Sequence, residues 1–551
     1  MKIKYVILVM SVMVFYSTMT AESAVKTDKS NPFGYTSDEL YKPETIRSAL
    51  DKEQKEIFRY FWESTEPEVG LTQENDNSTN KFTLGGGGFG IMASIVGVER
   101  GWVSREKAAK RIATTAEFLD NEYRIHGVWS HWINREGKPL GFGNKQKEAG
   151  DVVETSFMLM GMLCAAEYFD GDTKTEKTIR EKAEYFVNSI EWDFYTNGKD
   201  HLYWCWDRPS NNFILPISGY NEALITYILG MGAPDRHRIT YRHYKGGWMM
   251  GGEIWNPGRI SSTYPWPLGK DVSGPMFLSH YSFLGMDPRD MQDEYVNYYD
   301  NCVYHAMINH HYCLYEAPEE YGYDEWNWGL TACFGTGKRG YRARSPRVDD
   351  GVIAPTAAIG SMPYTPFYSI QVLMNLLDKE RMSYIDKKGM DTKMGFWDSY
   401  SVRDKQHTDL RISIDQGPMI IMIENYRSGL FWNLMANNAI IKKGQKEAGI
   451  GPATFKPGFF YIYENTVSGC ADLIRHPDRE VYEMPYWTDS ASKVTFVLTS
   501  ETGETTEITT DSKPGKNMLS FGLEKLETGC RYKVTMNLHG KLVSQRQVIL
   551  H

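Results

Sequence analysis

Four apolar segments of the chain begin with acids. Asp151 and Glu154 head DVVETSFMLMGMLCAA, Glu222 follows Asn221 at the head of NEALITYILGMG, Asp349 and Asp350 precede GVIAPTAAIGSM, and Asp415 opens DQGPMIIMIENY. Such acids have a structural use: Asp at an N-cap with Glu at the third helical position caps a helix, and negative charge offsets the positive end of its dipole. They also have a chemical use. Like charges crowded into a partly dry cleft raise one another's pKa, which prepares a protonated general acid beside an ionised base. Four acid-headed segments opening into one funnel favour the chemistry, with the cap serving as its mounting.

The loops around these heads are loaded with aromatics: HGVWSHW (126–132), HLYWCWDRP (201–209), YGYDEWNWG (321–329) and MGFWDSY (394–400). Trp beside Asp or Asn on a loop is the usual composition of a sugar-stacking platform, against the plainer reading of core packing. Trp326 and Trp328 alternate with Asp324, Glu325 and Asn327, and are expected to face ligand. The other substrate-binding candidates are Trp129, His131, Tyr220, His280, Tyr281, Arg289 and Asp350.

Other chemistries find no motif. GGGGFG at 85–90 follows no strand-like run and lacks the lysine of a phosphate-binding loop, so close backbone packing at the start of a buried helix is expected instead. The 13 histidines form no HExxH or paired ligand spacing, and no GxSxG marks a nucleophilic serine. No cofactor and no metal is expected.

The acids need elements to hold them. From about residue 45 to 435, two kinds of helical segment alternate. SREKAAKRIATTAEFL (104–119) and KTEKTIREKAEYFVNSI (174–190) are charged on one face, whereas GGGFGIMASIVGV (86–98) and the acid-headed segments are apolar nearly all round. An amphipathic helix followed by a buried one, repeated around six times, is what two concentric rings require. A mainly α fold, an (α/α)6 double-ring helical barrel over 31–455, is expected. No fixed period supports an open solenoid. After about residue 455 short Thr/Val-rich runs such as KVTFVLTS and CRYKVTMNL alternate with turn signals, which predicts a small C-terminal β-sandwich over 456–551.

Bulk properties bound the partners. A formal net charge of -9 offers no basic surface for a phosphate backbone, so nucleic acid is not expected as a partner. Residues 1–24 read as a secretory signal peptide, with Lys2 and Lys4 before an apolar run and small residues near Ala21 and Ala24. An exported, periplasmic protein of a Gram-negative bacterium is expected, monomeric and without a membrane span in the mature chain. The seven cysteines lack CxxC spacing and read as buried thiols, with at most one bridge.

Seven long blocks, in order through residues 50–435, resemble the bacterial glucoamylase-like domain of the endo-β-1,2-glucanase family of glycoside hydrolases. They are RYFWE, GFGIMASIVGVERGWVSREKAAKR, GYNEALITYILGMGAP, FLSHYSFLGMDPRD, WNWGLTA, DDGVIAPTAAIGSMPYTP and DQGPMIIMIENYRSGLFW. The resemblance implies an (α/α)6 barrel that cleaves β-1,2-linked glucan with inversion. Its funnel acids fall on Asp151, Glu154, Glu222 and Asp415. Two segments depart from the pattern: GLTQENDN (70–77) stands where members show an acid and an arginine, and DVVETS where Asp-Thr-Ala is common. Inversion needs about 6.5 to 9.5 Å between acid and base, and residues three apart on a helix have Cβ atoms only about 5 to 6 Å apart. Asp151 and Glu154 therefore do not form the pair. Glu222 is expected as general acid and Asp415 as general base, with Asp151 and Glu154 binding sugar hydroxyls and raising the acid's pKa. The rival readings are an α-glucan glucoamylase or other-linkage hydrolase on the same fold, a polysaccharide lyase, and a non-catalytic glycan-binding protein of the envelope, which would need no acids in the funnel.

Overall fold

The computed structural model describes residues 43–453 and 469–549, apart from 142–147, 263, 270–271, 386–388, 471–473, 476–480, 489, 501 and 527–530. The expected signal peptide and the expected domain junction at 455–456 lie outside the described residues.

Helices form where apolar residues recur at helical spacing, and their burial follows the charge pattern. α1 (Pro43–Glu63), α3 (Arg105–Asn121) and α5 (Lys174–Asn188) are amphipathic. In α5 the buried face is Ile179, Ala183, Phe186 and Val187, and Thr173 caps the helix by accepting from the Glu176 N–H. Between them stand α2 (Leu84–Glu99), α4 (Val152–Tyr168) and α6 (Leu224–Gly232), buried on every side. α2 and α4 cross at bare backbone. A Cβ on Gly161 would lie 2.3 Å from Gly88 O, and one on Gly88 would lie 2.3 Å from Phe157 O, so the glycines of GGGGFG serve close packing as expected.

The second half is less regular. α7 (Tyr241–Gly246) is short, and SFLGM and its neighbours form two 3-10 turns, Met276–Ser279 and Tyr281–Leu284. α8 (Tyr298–His311) follows. The helix expected from Asp350 starts five residues later: α9 spans only Pro355–Ile359. Pro355 holds Ala354 extended at φ -123 and ψ 133, and Gly351 sits at φ 82, so no helical turn can begin earlier. α10 (Pro366–Leu377), α11 (Ser413–Ser428), α12 (Leu430–Asn437) and α13 (Ala439–Glu447) complete the helical region. No helix among the described residues is long and apolar enough to cross a membrane.

Among the described residues the C-terminal segment is mostly strand, with its own apolar cluster. Val481–Thr488 pairs antiparallel with Gly515–Gly522, and Ser492–Ser500 lies between Thr505–Ser512 and Arg531–Leu538, which pairs with Lys541–Ile549. Tyr482, Met484, Leu519 and Phe521 of one sheet join Val494, Phe496, Val534 and Met536 of the other in one cluster. The strand at 481–488 was hidden in the sequence by Pro485, which cannot donate to a ladder. Cys164, Cys205, Cys302 and Cys333 are buried free thiols, and Cys313 and Cys470 are buried as well.

Candidate active site

Asp151 is the N-cap of α4, and its two oxygens do different work. Oδ1 accepts from the backbone N–H groups of Val153 at 3.0 Å and Glu154 at 2.9 Å. Oδ2 accepts from His131 Nδ1 at 2.7 Å and Trp204 Nε1 at 3.2 Å. Strand pairing of Asp151 with Cys205 brings Trp204 alongside. Glu154, one turn on, reaches across to α2, where Oε2 accepts from Gly85 N at 2.6 Å. That N–H is one of the unpaired donors of a helix N-terminus. Burial pushes the Glu154 carboxyl up to about 7, against the pull of the His131 charge. Burial alone would lower His131, but Glu154 and Asp151 outweigh it and hold the imidazole above its ordinary range.

Glu222 lies in the turn before α6, two residues ahead of the helix and so not at its cap. Ser282 Oγ donates to the Glu222 carbonyl and anchors this turn. Burial, with the Glu154 and Asp151 charges adding to it, pushes the Glu222 carboxyl up to about 7.

Asp415 occupies the first turn of α11, fixed by the bond from Ser413 N to Glu74 O at 2.8 Å. Its carboxyl lies within hydrogen-bonding reach of Asp398, and burial together with that neighbour holds it well above the usual carboxylate range. Asp398 Oδ2 accepts from Phe334 N at 2.7 Å. Burial pushes the Asp398 carboxyl up to about 6. Asp398 Oδ1 and Asp415 Oδ2 are both buried without a donor. Two carboxylates in this position hold one proton between them.

Tyr281 ties the acids into one site. Its ring stacks on Phe277 and meets Phe89 and Phe157 edge-on, and the charges of Asp415, Glu222 and Glu154 all act on its hydroxyl. Tyr341, about half exposed, stands in the field of Asp415, Asp398 and Glu154. Acids from α4, the turn before α6, and α11 therefore lie within electrostatic reach of one another, together with His131 and Tyr281.

Several other candidates are placed elsewhere. Trp129 and Trp328 are in the core rather than facing ligand: Trp129 is fully buried against Phe186, with Nε1 donating to Leu119 O, and Trp328 packs on His310. His280 is buried against Ser361 Oγ at 2.9 Å, and burial pushes its imidazole down to about 3. Arg289 pairs with Asp287 at 2.8 Å and lies over the Trp432 ring. Asp350 is gripped by the fully buried Arg344, at 2.6 Å from Nε and 3.1 Å from Nη2, so it is a structural ion pair and not a helix head. Tyr220 supports the Glu222 turn, its hydroxyl 2.7 Å from Ser279 Oγ. Trp326 is half-buried under the Arg381 guanidinium.

The sequence reading missed three groups. Asp398 lies in MGFWDSY, a loop noted for its aromatics and not for its acid. Trp204 likewise sits in a noted loop, but only strand pairing reveals its partner. Glu74 lies in the divergent GLTQENDN, buried and paired with Lys81 at 2.6 Å, while Lys81 covers the Trp132 ring at 3.7 Å. An acid and a cation do stand after α1, with lysine as the cation.

Comparison with known proteins places the chain among known relatives. The Glycoamylase family model, whose description reads glucoamylase, matches residues 215–439. An exo beta-1,2-glucooligosaccharide sophorohydrolase (non-reducing end) of Parabacteroides distasonis is 34% identical over 426 residues. That alignment covers 73% of this chain and 58% of the relative, so the chain spans little more than half of that protein's length. An endo-beta-1,2-glucanase from Chitinophaga pinensis, solved with sophorotriose and glucose, superposes with a TM-score of 0.68 at 38% identity, covering 74% of this chain and 98% of that one. A beta-1,2-glucanase from Parabacteroides distasonis gives a TM-score of 0.68 at 33% identity over 74% of this chain and 60% of that one. The helical region thus has the helical-barrel fold of the glucoamylase-like proteins. The chain belongs to the glucoamylase-like endo-β-1,2-glucanase family of glycoside hydrolases.

Proposed function

We propose that the protein hydrolyses β-1,2-linked glucan with inversion at the anomeric carbon. The observation that carries this is the Glu222 carboxyl. It is held at about 7 by burial and by the acids facing it, and engages no other side chain among the described residues. At neutral pH it is protonated in part and free to give its proton to a glycosidic oxygen. The Asp398–Asp415 pair supplies the base. Singly protonated, it carries one negative charge and takes a proton from the attacking water, directly or through a second water. Asp151 and Glu154 bind sugar hydroxyls and keep Glu222 protonated. His131 and Trp204, both bonded to Asp151, orient that carboxylate. All three named relatives carry β-1,2-glucan activity in their names, one exo-acting and one endo-acting among them, which supports the linkage.

The same reading includes a full (α/α)6 double ring over 31–455 and a β-sandwich over 456–551 that buttresses it. It also includes export to the periplasm by the signal sequence of residues 1–24, and a monomeric state. The test is a panel of β-1,2-glucan, β-1,3-glucan and starch, with products followed by chromatography and by proton NMR during the first turnovers. Release of sugar from β-1,2-glucan alone, with the new reducing end formed as the α-anomer, is expected. A β-anomeric first product would rule out inversion, and preferential attack on starch would rule out the linkage.

A further inference from the structure

A second group of acids lies outside the funnel and has no part in the proposed reaction. Glu53 and Glu56 on α1 and Asp391, in the loop leading to α11, each bring one carboxylate oxygen within 4.8 Å of the others. Lys52 Nζ bridges two of them, 2.7 Å from Asp391 Oδ1 and 3.0 Å from Glu56 Oε2, and Lys379 reaches Asp391 Oδ2 at 3.4 Å. Glu53 is left out of this pairing. Its side chain is fully buried and neither of its oxygens has a hydrogen-bond partner. The Phe396 backbone N–H lies near enough to act on the carboxyl but misses hydrogen-bond geometry.

A second orphan acceptor comes from a different element. Gln416, in the first turn of α11, donates its amide to Phe396 O at 2.9 Å and leaves Oε1 buried without a partner. A Cβ on Gly395 would lie 2.6 Å from Gln416 Oε1 and 3.5 Å from Glu53 Oε1, so both unpaired oxygens border the same small space. A buried carboxylate is not left bare: a proton or a cation must meet it. Burial, with the Glu56 charge adding to it, holds the Glu53 carboxyl well above its ordinary range, which makes a proton the occupant when no cation is present.

The donor set is all oxygen, with no His or Cys, which suits a hard cation and not zinc. Two oxygens on one calcium ion, each at about 2.4 Å, are at most about 4.8 Å apart, and the three carboxylates fall within that span. We propose that Glu53, Glu56, Asp391 and the Gln416 side-chain carbonyl bind a calcium ion that ties α1 and the 391–396 loop to the first turn of α11, one residue from Asp415. The Lys52 side chain is 41% exposed and swings outward to admit the ion.

Full-length protein is stripped with EDTA and dialysed to equilibrium against calcium chloride or magnesium chloride, and its metal content and Tm are measured. One calcium per chain is expected, with an affinity on the order of 0.1 to 1 mM. Calcium should raise Tm more than magnesium does. Glu53→Gln should remain folded by circular dichroism and lose both effects, with Asp391→Asn as the second variant should Glu53→Gln misfold. Lys52→Ala, which frees Asp391 Oδ1 and Glu56 Oε2, should bind calcium more tightly. A wild-type protein that takes up no calcium at several millimolar overturns the proposal, as does retention of binding in both acid variants. An equal or larger response to magnesium overturns the choice of calcium. These readouts are metal content and heat stability, so they succeed or fail independently of the glucanase reading.

Discussion

Two carboxylates that share a proton and a third that keeps its own give the funnel a defined pH window. Below about 6 the Asp398–Asp415 pair gains its second proton and can take none from water. Above about 7 Glu222 loses the proton it must donate. The kcat/KM profile should therefore be a narrow bell with limbs near these two values. Asp398→Asn removes the charge that raises Asp415 and puts an amide donor beside it, so the acidic limb should move to lower pH while the alkaline limb stays. An acidic limb that does not move would show that Asp398 is not coupled to the base. At this scale the sequence displayed Asp151, Glu154, Glu222 and Asp415, because acids ahead of apolar runs are visible in one dimension. Asp398 was not visible as chemistry, since no spacing rule connects a loop acid to a helix start it meets only after folding. Trp328 and Trp129 were misplaced for the converse reason: an aromatic among polar neighbours reads the same whether it faces ligand or packs inward.

The elements place these acids through contacts that tolerate little change. α2 and α4 approach at Gly88 and Gly161, and this approach lets Glu154 reach the Gly85 N–H at 2.6 Å. Gly161→Ala puts a methyl 2.3 Å from Gly88 O, and the forced separation should cost about 1 to 3 kcal/mol, read as a lower urea midpoint. An unchanged midpoint would mean that the crossing is looser than described. The amphipathic helices α1, α3 and α5 and the buried α2, α4 and α6 were legible from periodicity alone. The second half was less so. The head of 350–362 has the composition of a buried helix, yet Pro355 and Gly351 deny it the first turn, and Asp350 goes to Arg344 instead of the funnel. The 481–488 strand was missed because Pro485 reads as a breaker.

The whole molecule carries a stability cost at its acids. Glu222 has an ordinary value of 4.5 and is raised to about 7 in the folded state, so the native state binds this proton more tightly than the unfolded chain. That contribution is full below about 4.5 and is lost as pH rises through about 7. Glu222→Gln, neutral throughout, should leave Tm unchanged near pH 4 and raise the stability at pH 8 by up to about 3 kcal/mol relative to wild type. A variant that is more stable at pH 8 and yet inactive separates loss of chemistry from loss of fold. The central claim is that Glu222 is the proton donor, and kcat of Glu222→Gln on β-1,2-glucan near pH 6.5 tests it most directly. A fall of about 10²- to 10⁴-fold with KM little changed is predicted; a kcat close to that of the wild type would contradict it.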